Sequence, residues 1–265
     1  MLLRINADDF GLSPGVNSAI LQMFLQQKLH SASLICGCQY FTSAVQIARQ
    51  NPNLQVGLHF NLTTGVASFL HQPNSLLVDK NNRFKNGFLK LLILSIFKKQ
   101  QLQQEVLLEL QAQITLCQQN NITLQHLDSH RHIHCIPAIF SIVQQEAIKN
   151  NIQHLRIINE NIFSTFKLSY QKSFLFDGGI IKWAVLRFLN LFNHTKKFNQ
   201  TYFFSILYTG KISQQLITKF LKTTKHQNIE IMIHPANPSI DSQLAPNTLE
   251  EKTHLLNNNR YLENL

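Results

Sequence analysis

Leu2-Leu3-Arg4-Ile5-Asn6-Ala7-Asp8-Asp9-Phe10-Gly11-Leu12-Ser13-Pro14 is the stretch that decides the fold. An apolar run reads as a strand, two carboxylates stand at its end, and Ser13-Pro14 supplies an N-cap and a first-turn proline for a helix through about Gln27. The same grammar recurs downstream. Val56-Gly57-Leu58 delivers His59 just before Asn61-Leu62-Thr63, and the strand Ile122 to Leu127 delivers Asp128-Ser129-His130-Arg131-His132-Ile133-His134. Near the end, Ile229 to Ile233 delivers His234-Pro235. When strands lie in parallel their C-terminal ends share one face, so these distant residues can converge. Carboxylate plus imidazole is the donor set that a borderline divalent cation prefers.

Between these landmarks strands and helices alternate. Ser31 to Gly37 is a predicted strand, Phe41 to Gln50 a helix stopped by Asn51-Pro52, and Val56 to Leu62 a third strand. Residues 66–98 are less regular. Gln100 to Asn120 carries Leu102, Val106, Leu110, Ile114 and Cys117 on one helical face. There follow a helix from Pro137 to Lys149, a strand His154 to Ile158, an apolar helix Ile180 to Phe192, a strand Tyr202 to Leu207 and a helix Ser213 to Thr223. Continuous apolar strands alternating with helices predict a parallel sheet wrapped in helices. About seven strands with polar residues at their C-terminal ends favour a deformed (β/α) barrel over a doubly wound sheet, which would want a Gly-rich turn after its first strand. The 265 residues read as one domain, 1–265.

Composition narrows the partners. The net charge is +10, from 24 Lys+Arg against 14 Asp+Glu, which favours anionic partners or reflects an unspecialised basic surface. Nucleic acid is not expected, because no helix-turn-helix, zinc-finger or RNP pattern is present. Cys36, Cys38, Cys117 and Cys135 lack a zinc-ribbon spacing and read as buried thiols. The first strand begins at Leu2 and leaves no room for a secretory signal, so a cytoplasmic location is expected, either free or peripheral at the inner membrane surface.

The blocks Asn6-Ala7-Asp8-Asp9-Phe10-Gly11-Leu12-Ser13, Gly57-Leu58-His59-Phe60-Asn61-Leu62-Thr63, His126 through His134, and His234-Pro235 resemble the YdjC-like carbohydrate deacetylase family. The likeness runs in order over nearly the whole chain and is weakest at 66–121 and 160–227. It implies a deformed (β/α) barrel holding one divalent metal, magnesium or zinc, that hydrolyses the acetyl group from an N-acetylated amino sugar. Carried over by position, Asp9, His59 and His130 match metal ligands, Asp8 the catalytic base and His234 a general acid.

Bottom-up chemistry is compatible with that assignment. Amide hydrolysis needs an activated water, an oxyanion stabiliser and an acid for the leaving amine; a cation with open positions supplies the first two. Adjacent carboxylates can divide the work, one binding the cation while its neighbour stays free to take a proton. Successive strand residues point to opposite sides, so both serve one site only where the strand ends or kinks, as Gly11 permits. Taken singly, an Asp pair after a strand is more often a turn or cap and a lone His a satisfied interior residue. Three alternating imidazoles are harder to dismiss. His132 and His134 are expected beside the ligands or facing substrate, and Asp128 is a partner for a ligating imidazole. Arg156 binds a sugar hydroxyl or phosphate, or else makes a plain surface salt bridge.

Two lysine-flanked apolar stretches, 87–99 and 180–197, are either core helices or helices lying on a membrane interface. The second option, with the basic charge, points to a lipid-linked amino sugar in place of a free chitooligosaccharide. A metal-dependent phosphoesterase, a non-heme iron oxygenase and a non-catalytic sugar-binding module are the rival classes. A homo-oligomer is left open.

Overall fold

The computed structural model describes residues 2–168, 178–193, 198, 201–209 and 212–242. Among the described residues, seven strands form one parallel sheet: β1 (Leu2–Phe10), β2 (Ser31–Leu34), β3 (Gln55–Phe60), β4 (His126–Ser129), β5 (His154–Leu155), β6 (Tyr202–Phe204) and β7 (Asn228–Ile233), in the order β5-β4-β3-β2-β1-β7-β6. The helices are α1 (Pro14–Leu25), α2 (Phe41–Gln50), α3 (Phe88–Phe97), α4 (Lys99–Gln119), α5 (Pro137–Lys149), α6 (Ile162–Phe166), α7 (Gly179–Asn190), α8 (Gln214–Thr223) and α9 (Pro238–Asp241). The expected parallel barrel is therefore present as a curled half-barrel.

Side chains record the curl. β5 and β7 are far apart in strand order, yet His154 Nε2 lies 2.8 Å from Glu230 Oε2 and Arg156 donates to Glu230 Oε1 at 2.7 Å. A flat sheet could not bring them together. The two edge strands meet through a side chain in place of a ladder. Asn159 accepts from the Phe203 amide at 2.7 Å and donates to the Thr201 carbonyl at 2.8 Å, so its carboxamide occupies the seam as a peptide group would.

Alternation sorts the strand residues. Leu58, Leu127, Leu155, Ile229 and Ile231 are buried beneath the helices in the main core. Asn6, Asp8, Ser33, His59, His126, Asp128 and Glu230 are buried as well, and their hydrogen bonds run from one to the next inside the barrel. Gly57 belongs to that inner set: a Cβ there would lie 2.3 Å from the His126 ring, so only glycine fits.

Several boundaries differ from expectation. The second, fourth, fifth and sixth strands are shorter than predicted, since residues 35–37, 122–125, 156–158 and 205–207 leave the sheet as loop. The irregular region contains a helix, α3, ahead of α4, while the loop 61–87 is pinned to α4 by two acids. Glu109 accepts from the amides of Ser68 and Phe69, and Glu105 from Leu76 and the Ser75 hydroxyl. All four cysteines are buried thiols. Of the predicted stretch 180–197, residues 194–197 lie outside the described residues, as does the C-terminal part of the expected domain, 243–265. No helix among the described residues is long and apolar enough to cross a membrane.

Candidate active site

The two acids serve one site because β1 bulges. Its register with β2 slips between Ala7 and Phe10, and Asp9 itself takes φ 67. The kink expected from Gly11 thus begins two residues earlier, on a residue for which a left-handed backbone is unfavourable. Gly11, at φ 103, completes the turn, and its amide donates to Asn17 Oδ1.

Asp9 Oδ1 lies 2.8 Å from His130 Nδ1 and 3.2 Å from His59 Nε2. All three side chains are buried, and their donor atoms fall within 4.8 Å of one another. Donors bound at about 2.0–2.2 Å around a tetrahedral or octahedral cation are separated by about 3–3.5 Å, so the set fits a small divalent ion. The far nitrogen of His59, Nδ1, lies 2.7 Å from Asp128 Oδ1, the carboxylate–imidazole arrangement that orients a ligating histidine. Burial opposes charge on His59, but the Asp128 and Asp8 carboxylates outweigh it and hold the imidazole up at about 10. His130 goes the other way, pushed down by burial with only Asp9 to oppose it. Asp9 lies well below the usual carboxylate range: burial raises it, and His130 and His59 more than reverse the effect.

Asp8 is not free, as the division of labour would have it. Arg156 clamps it through two hydrogen bonds of 2.7 Å, and Asn6 donates to Oδ1 at 2.9 Å. Burial raises its carboxyl, Arg156, His59 and His234 together more than offset that, and the net shift is downward. His234 Nε2 stands 4.0 Å from Asp8 Oδ2, with 13% of its side chain exposed at the mouth. Burial lowers the His234 imidazole, with Asp9 and Asp8 opposing.

Arg156 corrects both readings offered for it. It is 1% exposed, and its donors go to Asp8, Glu230 and Asp128, the last at 2.6 Å. It is neither a surface ion pair nor open to a sugar. His130–Cys135 is a kinked turn, two short 3-10 pieces joined where Arg131 and His132 take left-handed φ values of 55 and 56. That turn separates the three imidazoles. His130 faces Asp9, His134 turns away to Ser129, and His132 packs edge-on to Phe203, its Nδ1 meeting no hydrogen-bond partner among the described residues. Burial leaves His132 and His134 neutral at physiological pH, the latter pushed down to about 3. Sequence reasoning missed Glu230, His126, Ser33 and Asn6. Glu230 had a signal, since a lone carboxylate inside an apolar strand sits on the same face as His234.

A parallel half-barrel whose strand ends gather a buried Asp/His cluster of cation-binding size defines the class. The chain belongs to the YdjC-like protein family, whose model matches residues 2–263. It is 31% identical over 248 residues to a chitooligosaccharide deacetylase of Proteus mirabilis, covering 89% of this chain and 81% of that one. A carbohydrate deacetylase of Brevibacillus brevis is 37% identical over 143 residues, 54% of each protein. In that protein and in a Vibrio parahaemolyticus carbohydrate deacetylase, the match spans little more than half of the relative's length. A crystal structure of a candidate cellobiose-phosphate cleavage protein from Enterococcus faecalis shares the fold, with TM-score 0.62 and 22% identity over 98% of this chain and 85% of that one.

Proposed function

We propose that this chain is a divalent-cation-dependent hydrolase that removes the acetyl group from an N-acetylated amino sugar. The observation that carries the reading is the convergence of Asp9, His59 and His130, with Asp128 behind His59 and Asp8 and His234 beside them. Asp9, His59 and His130 would hold a divalent cation such as magnesium or zinc, which when bound would supply the positive charge that acidifies water and polarises the amide carbonyl.

Every other step belongs to the protein. Asp8, ionised and held by Arg156, takes the proton of the water that attacks the carbonyl carbon. His234, 4.0 Å away, delivers a proton to the nitrogen as the C–N bond breaks, leaving acetate and a free amine. The relatives' names favour a carbohydrate amide over a phosphoester. A second reading, in which the amino sugar is carried on a lipid, is favoured by the apolar surfaces of α3 and α7.

Acetate release from a panel of N-acetylated sugars, free and lipid-linked, with and without added divalent cation, tests both readings. Cation-dependent release that a chelator abolishes is expected. Phosphate release from sugar phosphates without any acetate would replace the deacetylase by a phosphoesterase.

A further inference from the structure

The described surface carries two apolar helix faces that the chemistry above does not use. On α3, Leu89, Ile93, Ile96 and Phe97 are exposed at positions that share one side of a helix, opposite the buried Leu91 and Leu94. On α7, Ile181, Val185 and Phe188 repeat the pattern, away from the buried Leu186 and Leu189, and Phe192 is exposed just past its end. The exposures are large, 80% for Phe97 and 71% for Ile181. An ordinary surface helix has the reverse distribution.

Both helices pack beside the turn that carries His130. α3 and α7 each contact the turn His130–Cys135, and their residues Phe88 and Trp183 pack on the same small cluster formed by Cys135, Ile158, Phe203 and Met232. The positive charge is concentrated in the same segments. Residues 80–104, around α3, hold six Lys and Arg and no acid, and α7 carries Lys182 and Arg187 with no acid. Lys90, Lys98 and Lys99 are exposed beside the α3 stripe, whereas Lys182 turns its ammonium inward toward Asp8 and Asp9.

We propose that the α3–α7 face docks on an anionic bilayer, with the apolar stripes entering the headgroup boundary and the lysines meeting lipid phosphates. The alternative occupant, a second copy, is disfavoured by charge, because a two-fold interface through this face would bring lysine rims together. A bilayer rich in anionic headgroups complements the same rim. The proposal deepens the deacetylase reading by placing the site mouth at the membrane, but docking itself needs no turnover, so the two fail separately.

The test is co-sedimentation of the full chain with phosphatidylcholine vesicles, with or without phosphatidylglycerol, at low and high salt. Binding is expected only with phosphatidylglycerol and is expected to fall at high salt. Phe97→Ser with Phe188→Ser, both at exposed positions, should weaken it about tenfold or more. Lys98→Gln with Lys99→Gln should weaken it by a similar factor, at about fivefold per lysine, and flatten the salt dependence. Acetate release from a soluble N-acetylated sugar should be unchanged in both double variants. Failure to bind phosphatidylglycerol vesicles at low salt overturns the proposal, as does binding that the serine pair leaves intact. A dimer that the serine pair converts to monomer assigns the face to a second copy instead.

Discussion

At the scale of single residues, Asp9 shows how the site is assembled against local preference. A non-glycine residue at φ 67 costs about 1 kcal/mol or more, and the surrounding hydrogen bonds from β1 and β2 hold it there. The strain turns Asp9 towards His59 and His130 while Asp8 stays with Arg156, so adjacent carboxylates receive different partners and different chemistry. Asp8→Asn should therefore retain the cation and lower kcat by about 10²–10⁴-fold, the amount a positioned acid or base contributes. Asp9→Asn should weaken the cation itself. Metal titration of the two variants checks this, and the opposite pattern would exchange their roles.

At the scale of elements, the seam between β5 and β6 is the weak join, and side chains close it. Beside Asn159, Glu160 accepts from the amides of Ile206 and Leu207 and from Thr165. Burial pushes its carboxyl up to about 7, with those hydrogen bonds opposing. The unfolded carboxyl ionises near 4.5, whereas the folded one keeps its proton until about 7. Between those values the native state binds more protons, so this group's contribution to stability falls as pH rises through the window, by roughly 3 kcal/mol in all. Glu160→Gln should flatten that part of the profile in urea melts at pH 5 and pH 7. An unaltered slope would show that Glu160 is not the group responsible.

At the scale of the whole molecule, Arg156 ties β1, β4 and β7 to the end of β5 through Asp8, Asp128 and Glu230. Removing the cation leaves three buried carboxylates facing one another. Arg156→Met should cost about 3–5 kcal/mol, the range for breaking a buried ion pair from one side. Arg156→Lys should recover only part of it, because an ammonium cannot grip Asp8 with two parallel bonds. Urea midpoints of the two variants measure the effect; a loss under about 1 kcal/mol for the methionine variant would mean the hub does not organise the barrel.

The sequence by itself determined the parallel α/β architecture and the residues gathered at its strand ends. Both are written locally: apolar runs of strand length, a Ser-Pro helix start, and carboxylates and imidazoles placed where each strand stops. What only the tertiary structure decided depends on residues distant in the chain. Asp128 becomes the partner of His59 and Arg156 the clamp of Asp8 because the sheet curls, and curl is a property of seven strands together. The same holds for α3 and α7. Periodicity cannot say which side of a helix is buried when both sides are apolar, and only packing against the rest of the fold left Phe97 and Ile181 facing outward.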